Sequence, residues 1–231
     1  MKILDISGNQ IFPEKYSMRY LSHTYSPAVV SNDVIWPRVS DLPVVLKTTE
    51  GFGEFLAFFY MQDGNLGHIS RMKEQLKHCI FTDFDDDNLK EIQLECFLNE
   101  TPYEVIGKTR NLVRMKFSAI PWGLPVQTVN TGMFWVDGSR NTPATVEIKN
   151  MTQEMITAEG IGIGSYRINE LQPDEVIMIN GREKLINSTT REGVFRDMNF
   201  TSFPVLEPGQ NNLDMNRPEG VRITLKWKPR W

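Results

Sequence analysis

Cysteine and histidine are scarce: Cys79 and Cys96 are the only cysteines in 231 residues, and His23, His68 and His78 the only histidines. No Cys or His pair stands at a zinc-ligand spacing such as H-x-x-x-H, so a zinc site has nothing to build on. In a reducing compartment the two cysteines read as free buried thiols, and disulfides do not staple the fold. Long apolar runs are missing too. The longest, Phe55 to Met61, falls far short of the roughly 20 residues that span a bilayer, and no membrane is expected as a partner. Met1-Lys2-Ile3-Leu4-Asp5 opens no secretory signal, so synthesis in a cytoplasm is the expectation.

An excess of one charge is also lacking. Twenty-five basic residues stand against 29 acidic ones, a net charge of −4, and no basic stripe invites nucleic acid. Gly160-Ile161-Gly162-Ile163-Gly164-Ser165 lacks the lysine of a P-loop and reads as a loop or bulged strand. No serine sits in G-x-S-x-G. The run Asp83-Phe84-Asp85-Asp86-Asp87-Asn88 starts like a calcium loop. It then has Asn88 where glycine is wanted and Leu94 where a bidentate glutamate should bind, so it reads as a solvated turn. Nothing sets two carboxylates across a cleft for glycoside hydrolysis. The sequence therefore predicts no enzyme, no catalytic or metal-binding residue and no cofactor.

What is present is ordinary globular composition, 40% hydrophobic and 23% charged, with patterns of period two. Val221-Arg222-Ile223-Thr224-Leu225-Lys226-Trp227-Lys228 alternates strictly and predicts a closing strand with its odd-numbered residues on a core. Val176 to Ile179 and Arg182 to Ile186 flank Asn180-Gly181, the signal for a two-residue hairpin that would put Ile179 opposite Arg182. Pro208-Gly209 marks another turn. Upstream, Ile3 to Ile6 and Gln10 to Pro13 suggest a small hairpin, Val44 to Thr48 a strand, and Lys90 to Asn99 and Asn111 to Ile120 two more. Glu54 to Met61 is too continuously apolar for a half-exposed strand. It predicts one covered on both faces or lying in a subunit contact, with Phe55, Phe58, Phe59 and Tyr60 as candidate interface residues. Tyr25 to Pro37 has no period and reads as a long loop, with Trp36 a further interface candidate. Met72, Leu76, Cys79 and Ile80 recur at helical spacing after Ser70, predicting one helix over about 70–81. Two prolines and a glycine between Ser118 and Pro125 suggest a stiff connector and divide the chain into 1–122 and 123–231. The fold class is mainly β: an N-terminal β-sandwich or barrel-like domain with one packed α-helix, then a C-terminal antiparallel β-sandwich.

The order of the Asn-Gly hairpin, "FPVLEPGQNNL" (Phe203 to Leu213), the alternating strand ending "KWKPRW" and the upstream "RNTPATVEIKN" (Arg140 to Asn150) resembles the C-terminal domain of siphophage distal tail (Dit) proteins. The likeness covers most of Thr131 to Trp231, and the N-terminal half matches more weakly. It implies a galectin-like C-terminal β-sandwich joined to a ring-forming N-terminal domain. It also implies a structural virion protein, a homohexameric hub at the end of the tail tube, made in the host cytoplasm. The partners would be itself, the tail tube protein, the tail hub or tail-associated protein, and the receptor-binding or baseplate proteins. The alternative function is a carbohydrate-binding module for host cell-wall glycan, with Trp135 and Trp231 as candidate glycan or partner contacts.

Overall fold

The computed structural model describes residues 1–35, 44–101, 103–105, 111–162, 166–215 and 219–231. Two compact units emerge, Met1–Pro121 and Trp122–Trp231. The first contains β1 (Lys2–Asp5), β2 (Met18–Ser26), β3 (Val30–Ile35), β4 (Val44–Glu50), β5 (Gly53–Met61), helix α1 (Leu66–Leu76), β6 (His78–Thr82), β7 (Ile92–Glu100), β8 (Tyr103–Val105) and β9 (Asn111–Gly123). Six strands pair in the order β1-β6-β7-β9-β5-β2, with β8 added to β9, and their registers are antiparallel. Phe55, Phe59, Phe81, Leu94, Met115 and Phe117 fill the inner face, where Ile69, Met72 and Leu76 of α1 pack in the same cluster. Ile11, Phe84 and Leu89, from the segments between these elements, complete the cluster.

The second unit contains β10 (Val126–Val129), β11 (Met133–Val136), β12 (Thr142–Asn150), β13 (Ile156–Gly162), β14 (Tyr166–Leu171), β15 (Val176–Asn180), β16 (Leu185–Ser188), β17 (Met198–Asn199), β18 (Val205–Leu206), β19 (Gly209–Asn212), β20 (Asp214–Met215) and β21 (Val221–Trp227). One sheet runs β10-β21-β12-β15-β16, with β18 on β12, and a second runs β17-β14-β13-β20. Val146, Ile148, Ile177, Ile179, Ile223 and Leu225 of the first sheet meet Ala158, Tyr166, Ile168 and Leu171 of the second in one buried cluster. That is a β-sandwich. β21 is an interior strand, between β10 and β12, and buries Val221, Ile223, Leu225 and Trp227 as the alternation requires. Thr224 departs from the pattern: it is only 7% exposed, with Val129 and Glu147 on either side of it.

Five local expectations change. The helix spans Leu66–Leu76 rather than about 70–81. Gly64 turns the chain at φ 63°, and Asn65 caps the first turn, its side-chain oxygen accepting the Gly67 N–H at 2.9 Å, so Ser70 is interior. Cys79 and Ile80 belong to β6, because His78-Cys79-Ile80-Phe81-Thr82 is β-prone and finds backbone partners on both sides, in β1 and β7. Replacing Asn65 by Ala removes the cap, and we expect a loss of about 1 kcal/mol, read as a lower denaturant midpoint at unchanged slope.

The Asn180-Gly181 hairpin has a four-residue loop, not two. Ile179 faces Ile186 and Asn180 faces Leu185. The Asn180 side-chain oxygen accepts the N–H groups of Arg182 and Glu183, and Lys184 takes the left-handed conformation. Gly181 serves close approach: a Cβ there would meet the Pro204 carbonyl oxygen at 2.2 Å and that of Ala144 at 2.7 Å. The long loop over Tyr25 to Pro37 is largely strand. β2 continues to Ser26, and β3 pairs with β4. That partner lies well downstream, so local periodicity could not announce it. The connector is strand as well, since β9 runs through Pro121 and Trp122 to Gly123, whose N–H bonds the Pro229 carbonyl at 2.7 Å. Finally, the acidic turn is anchored rather than simply solvated, because Phe84 and Leu89 are buried in the core.

Gly160 and Gly162 fall in β13, whose pairing with β14 shifts register twice, a bulged strand; 163–165 lie outside the described residues.

Candidate functional site

β5 is the best test of the interface residues. It alternates strictly, and Phe55, Ala57, Phe59 and Met61 are fully buried on the helix-facing side. Phe55 packs on Phe81 and Phe117, with ring centroids 4.6 and 6.1 Å away. Phe55 and Phe59 are therefore core residues with no surface to offer a neighbour, a correction to the expectation for them. The unbroken apolar run misled because both faces of β5 are partly covered, and only one of them is the core. Phe58 and Tyr60 point the other way and stay half-buried, beside Arg114 and Leu112 in the register of β9. Trp36 lies outside the described residues.

That second face mixes apolar and charged groups. Lys116 pairs with Glu54 at 2.7 Å, and His78 bonds Glu95 at 2.8 Å while stacking on Phe97 at 4.3 Å. Exposed Phe52 approaches Phe97 from the side, with ring centroids 6.4 Å apart. Aromatics beside arginine, with charges already paired, are the composition of a protein contact more than of a bare solvated sheet.

In the second unit Trp135 is 67% exposed on β11, which pairs with β19, and Met133 beside it on the same side is exposed too. Trp231 is part-exposed at the chain end. The structure gives the two tryptophans no common partner among the described residues.

Sequence reasoning missed a cleft of about 400 Å³ on the outward face of the larger sheet. Four side chains cross it in one register row, Gln127, Lys226, Thr145 and Asn180, one from each of β10, β21, β12 and β15. Trp122 closes one wall, with the guanidinium groups of Arg182 and Arg230 over its ring at 5.3 and 5.5 Å. Such cation–π stacking orders flexible cations at low entropic cost. Nothing local in the sequence could show this, since Trp122, Arg182 and Arg230 come from three distant segments.

A second missed feature is ionic. Glu175 is fully buried; it accepts the Gln172 N–H at 2.8 Å, the Ser188 hydroxyl, and Arg191 Nε at 2.9 Å. Arg191 also reaches Asp197 at 3.0 Å and the Asn169 carbonyl at 3.3 Å. Burial pushes the Glu175 carboxyl up, but the bonds from Ser188, Gln172 and Arg191 together hold it below its ordinary value. The result is a staple between the turn before β15 and the segment after β16.

The histidines and cysteines stand apart from this network. The histidines are dispersed: His23 lies beside Tyr20, Phe55 and Phe84, His68 beside Asp63 and His78 beside Glu95. Burial lowers the basicity of His23. Cys79 and Cys96 are free, buried and directly opposite each other on β6 and β7, and burial pushes both thiols up, away from reactivity. Among the described residues, no group of three or more His, Cys, Asp or Glu side chains could hold a metal, and no helix is long and apolar enough to cross a membrane.

No family model matches the sequence, and no curated protein matches it either. Solved structures do. The Dit protein of phage SPP1, described as a paradigm of the hub adsorption apparatus in phages infecting Gram-positive hosts, aligns with a TM-score of 0.68. That alignment covers 98% of each chain at 11% identity. The chain has the fold of a phage distal tail protein. A chain of the phage P2 baseplate in its activated conformation with calcium aligns at a TM-score of 0.57, over 100% of this chain and 97% of that one. The strontium form aligns at 0.54, over 97% and 96%, and both share 10% identity with this chain. The Dit fold therefore extends over both units, including the N-terminal one in which the sequence likeness is weaker.

Proposed function

We propose that this chain is a structural virion protein, the distal tail hub that closes a siphophage tail tube and joins it to the baseplate and receptor-binding apparatus. The observation that carries the reading is a full-length match of two different β-units, in one order, to the SPP1 Dit protein. Chance likeness of a common sandwich would cover one unit, not both. The similar solved structures are phage hub and baseplate proteins rather than enzymes, which favours a non-enzymatic role.

In this reading unit 1 forms a homohexameric ring, through residues 1–122, and the galectin-like unit 123–231 is not needed for closure. The half-buried face carrying Phe58 and Tyr60 is the proposed subunit contact, and a heterologous contact whose rotation closes makes a ring. The further partners are the tail tube protein, the tail hub or tail-associated protein, and the receptor-binding or baseplate proteins; the protein resides at the distal tail tip. Deleting 123–231 and imaging the remainder by negative stain should leave rings. Loss of the rings, with the remaining unit still folded by circular dichroism, would refute the assignment of assembly to unit 1.

One observation favours a second reading, glycan recognition: Trp135 presents most of its surface to solvent beside exposed Met133. Exposed indoles stack on sugar rings, and Trp135 and Trp231 are the proposed contacts. Trp135→Ala should then abolish retention on host cell wall while leaving the oligomer intact.

A further inference from the structure

Cys79 and Cys96 are the only cysteines of the chain, and the fold sets them face to face across β6 and β7. The Leu98 N–H donates to the Lys77 carbonyl at 3.1 Å, which fixes the phase of that antiparallel ladder. Lys77 and Leu98 are a hydrogen-bonded pair. Such pairs recur at every second residue, so Cys79 and Cys96 form one too. A pair of this kind holds its Cα atoms about 5.5 Å apart, inside the range of about 4.4–6.8 Å that disulfides span. Opposed Cβ atoms stand about 4.5–5.5 Å apart. A disulfide takes about 3.5–4.5 Å, so closure asks for an approach of about 1 Å.

Residues directly opposite each other share a face of the sheet, and here that face is the core. Both thiols are fully buried, in one cluster with Met72 and Leu76 of α1. Packing alone would be served by any small apolar side chain at either position. It does not call for both cysteines of the chain on one rung. Burial also keeps the pair inert at rest: the thiolate is the reactive form, and both thiols are pushed up. Access runs through α1, which packs on β6 and β7 and is anchored by three buried side chains, Ile69, Met72 and Leu76. An element held by so few buried contacts opens locally without global unfolding.

We propose that Cys79 and Cys96 are a latent cross-strand disulfide, a redox clasp that joins β6 to β7 when a small hydroperoxide enters beneath a lifted α1. One cysteine sulfur attacks the peroxide: an S–O bond forms, the O–O bond breaks, and the departing hydroxide takes the thiol proton and leaves as water. The second sulfur displaces hydroxide from the sulfenic sulfur, the S–S bond forms, and the second thiol proton leaves in a second water. Two thiols are thereby oxidised and one peroxide is reduced. The bond closes the loop that carries the acidic turn and stabilises the first unit by restricting its unfolded chain. The pair lies within one unit of one chain, so it stands independently of the hub reading.

The test treats reduced full-length protein, freed of reductant, with hydrogen peroxide and counts thiols by maleimide labelling after denaturation. The count should fall from two to none. The chain should keep its single-copy mass in non-reducing denaturing electrophoresis, and the tryptic fragments carrying Cys79 and Cys96 should be found joined. Dithiothreitol should restore both thiols and leave methionine sulfoxides as they are, so portions taken before and after reduction differ only in the bond. The thermal midpoint should be about 5 °C higher before reduction. Cys96→Ala should show no such difference. Met72→Ala, which loosens the hold of α1, should speed closure by about tenfold or more. Two thiols still free once exposed Met133, Met151 and Met155 are oxidised would overturn the proposal. So would cysteine sulfinic acid in place of the joined fragments, a bond between chains, a midpoint that does not rise, or an unchanged rate in Met72→Ala.

Discussion

Changing Ile223 to Asp should leave the second unit without a cooperative unfolding transition. Ile223 is fully buried at the centre of β21, opposite Ile148 in β12. Losing the burial of one such side chain costs roughly 1.5–3 kcal/mol. Placing an unpaired carboxylate among Val146, Ile148 and Leu225 adds several kcal/mol more. The sum rivals the roughly 5–15 kcal/mol that holds a domain together. Arg222→Thr on the exposed side is the control and should stay within about 0.5 kcal/mol of wild type. Thermal unfolding with soluble-yield measurement decides between them. Thr224 would make a poor control, although alternation alone predicts that it faces water. An Asp there would be nearly buried and directly opposite Glu147, and like charges facing each other across strands repel.

Replacing Arg191 by Ala should cost about 3 kcal/mol, because Glu175 is left charged, fully buried and short of its cationic partner. The loss should be partly recovered in the double variant Arg191→Ala with Glu175→Gln, where no buried charge is left stranded. A loss in the double variant equal to the sum of the losses in Arg191→Ala and Glu175→Gln would show that the pair is not coupled. Acid gives an independent reading. The Glu175 carboxyl lies below its ordinary value of 4.5 in the folded protein. It therefore contributes stability above that pH, which is lost as the pH falls further through the folded value. The single variant Glu175→Gln, lacking this contribution, should lose less stability than wild type between pH 4.5 and more acidic conditions.

Strands with one wet face were legible in the sequence. Val221 to Trp227 and Lys90 to Asn99 alternate because each has a single core to serve, and β21 and β7 stand close to where the pattern puts them. Elements whose identity depends on a distant partner were not legible. Cys79 and Ile80 continue the helical stripe of Met72 and Leu76 by spacing, yet β1 and β7 draw them into β6. Asn180-Gly181 announces a turn, but the loop length follows from the approach of Ala144 and Pro204 to Gly181. The interface residues divided for the same reason: β5 pairs on both edges with β2 and β9, so its pleat, invisible in an unbroken apolar run, sends Phe55 and Phe59 inward and Phe58 and Tyr60 outward. The cleft was least legible of all. Trp122, Arg182 and Arg230 meet only after β9, the hairpin loop and the chain end have been brought together, and no spacing rule relates them.

The central claim, a hub that closes on itself, is tested most directly by the mass of the purified full-length protein in solution. Light scattering across a concentration series, repeated with the tail tube protein added, should reveal a species six times the mass of the 26.6 kDa chain. A chain that stays at the single-copy mass throughout, alone and beside the tube protein, would contradict the account.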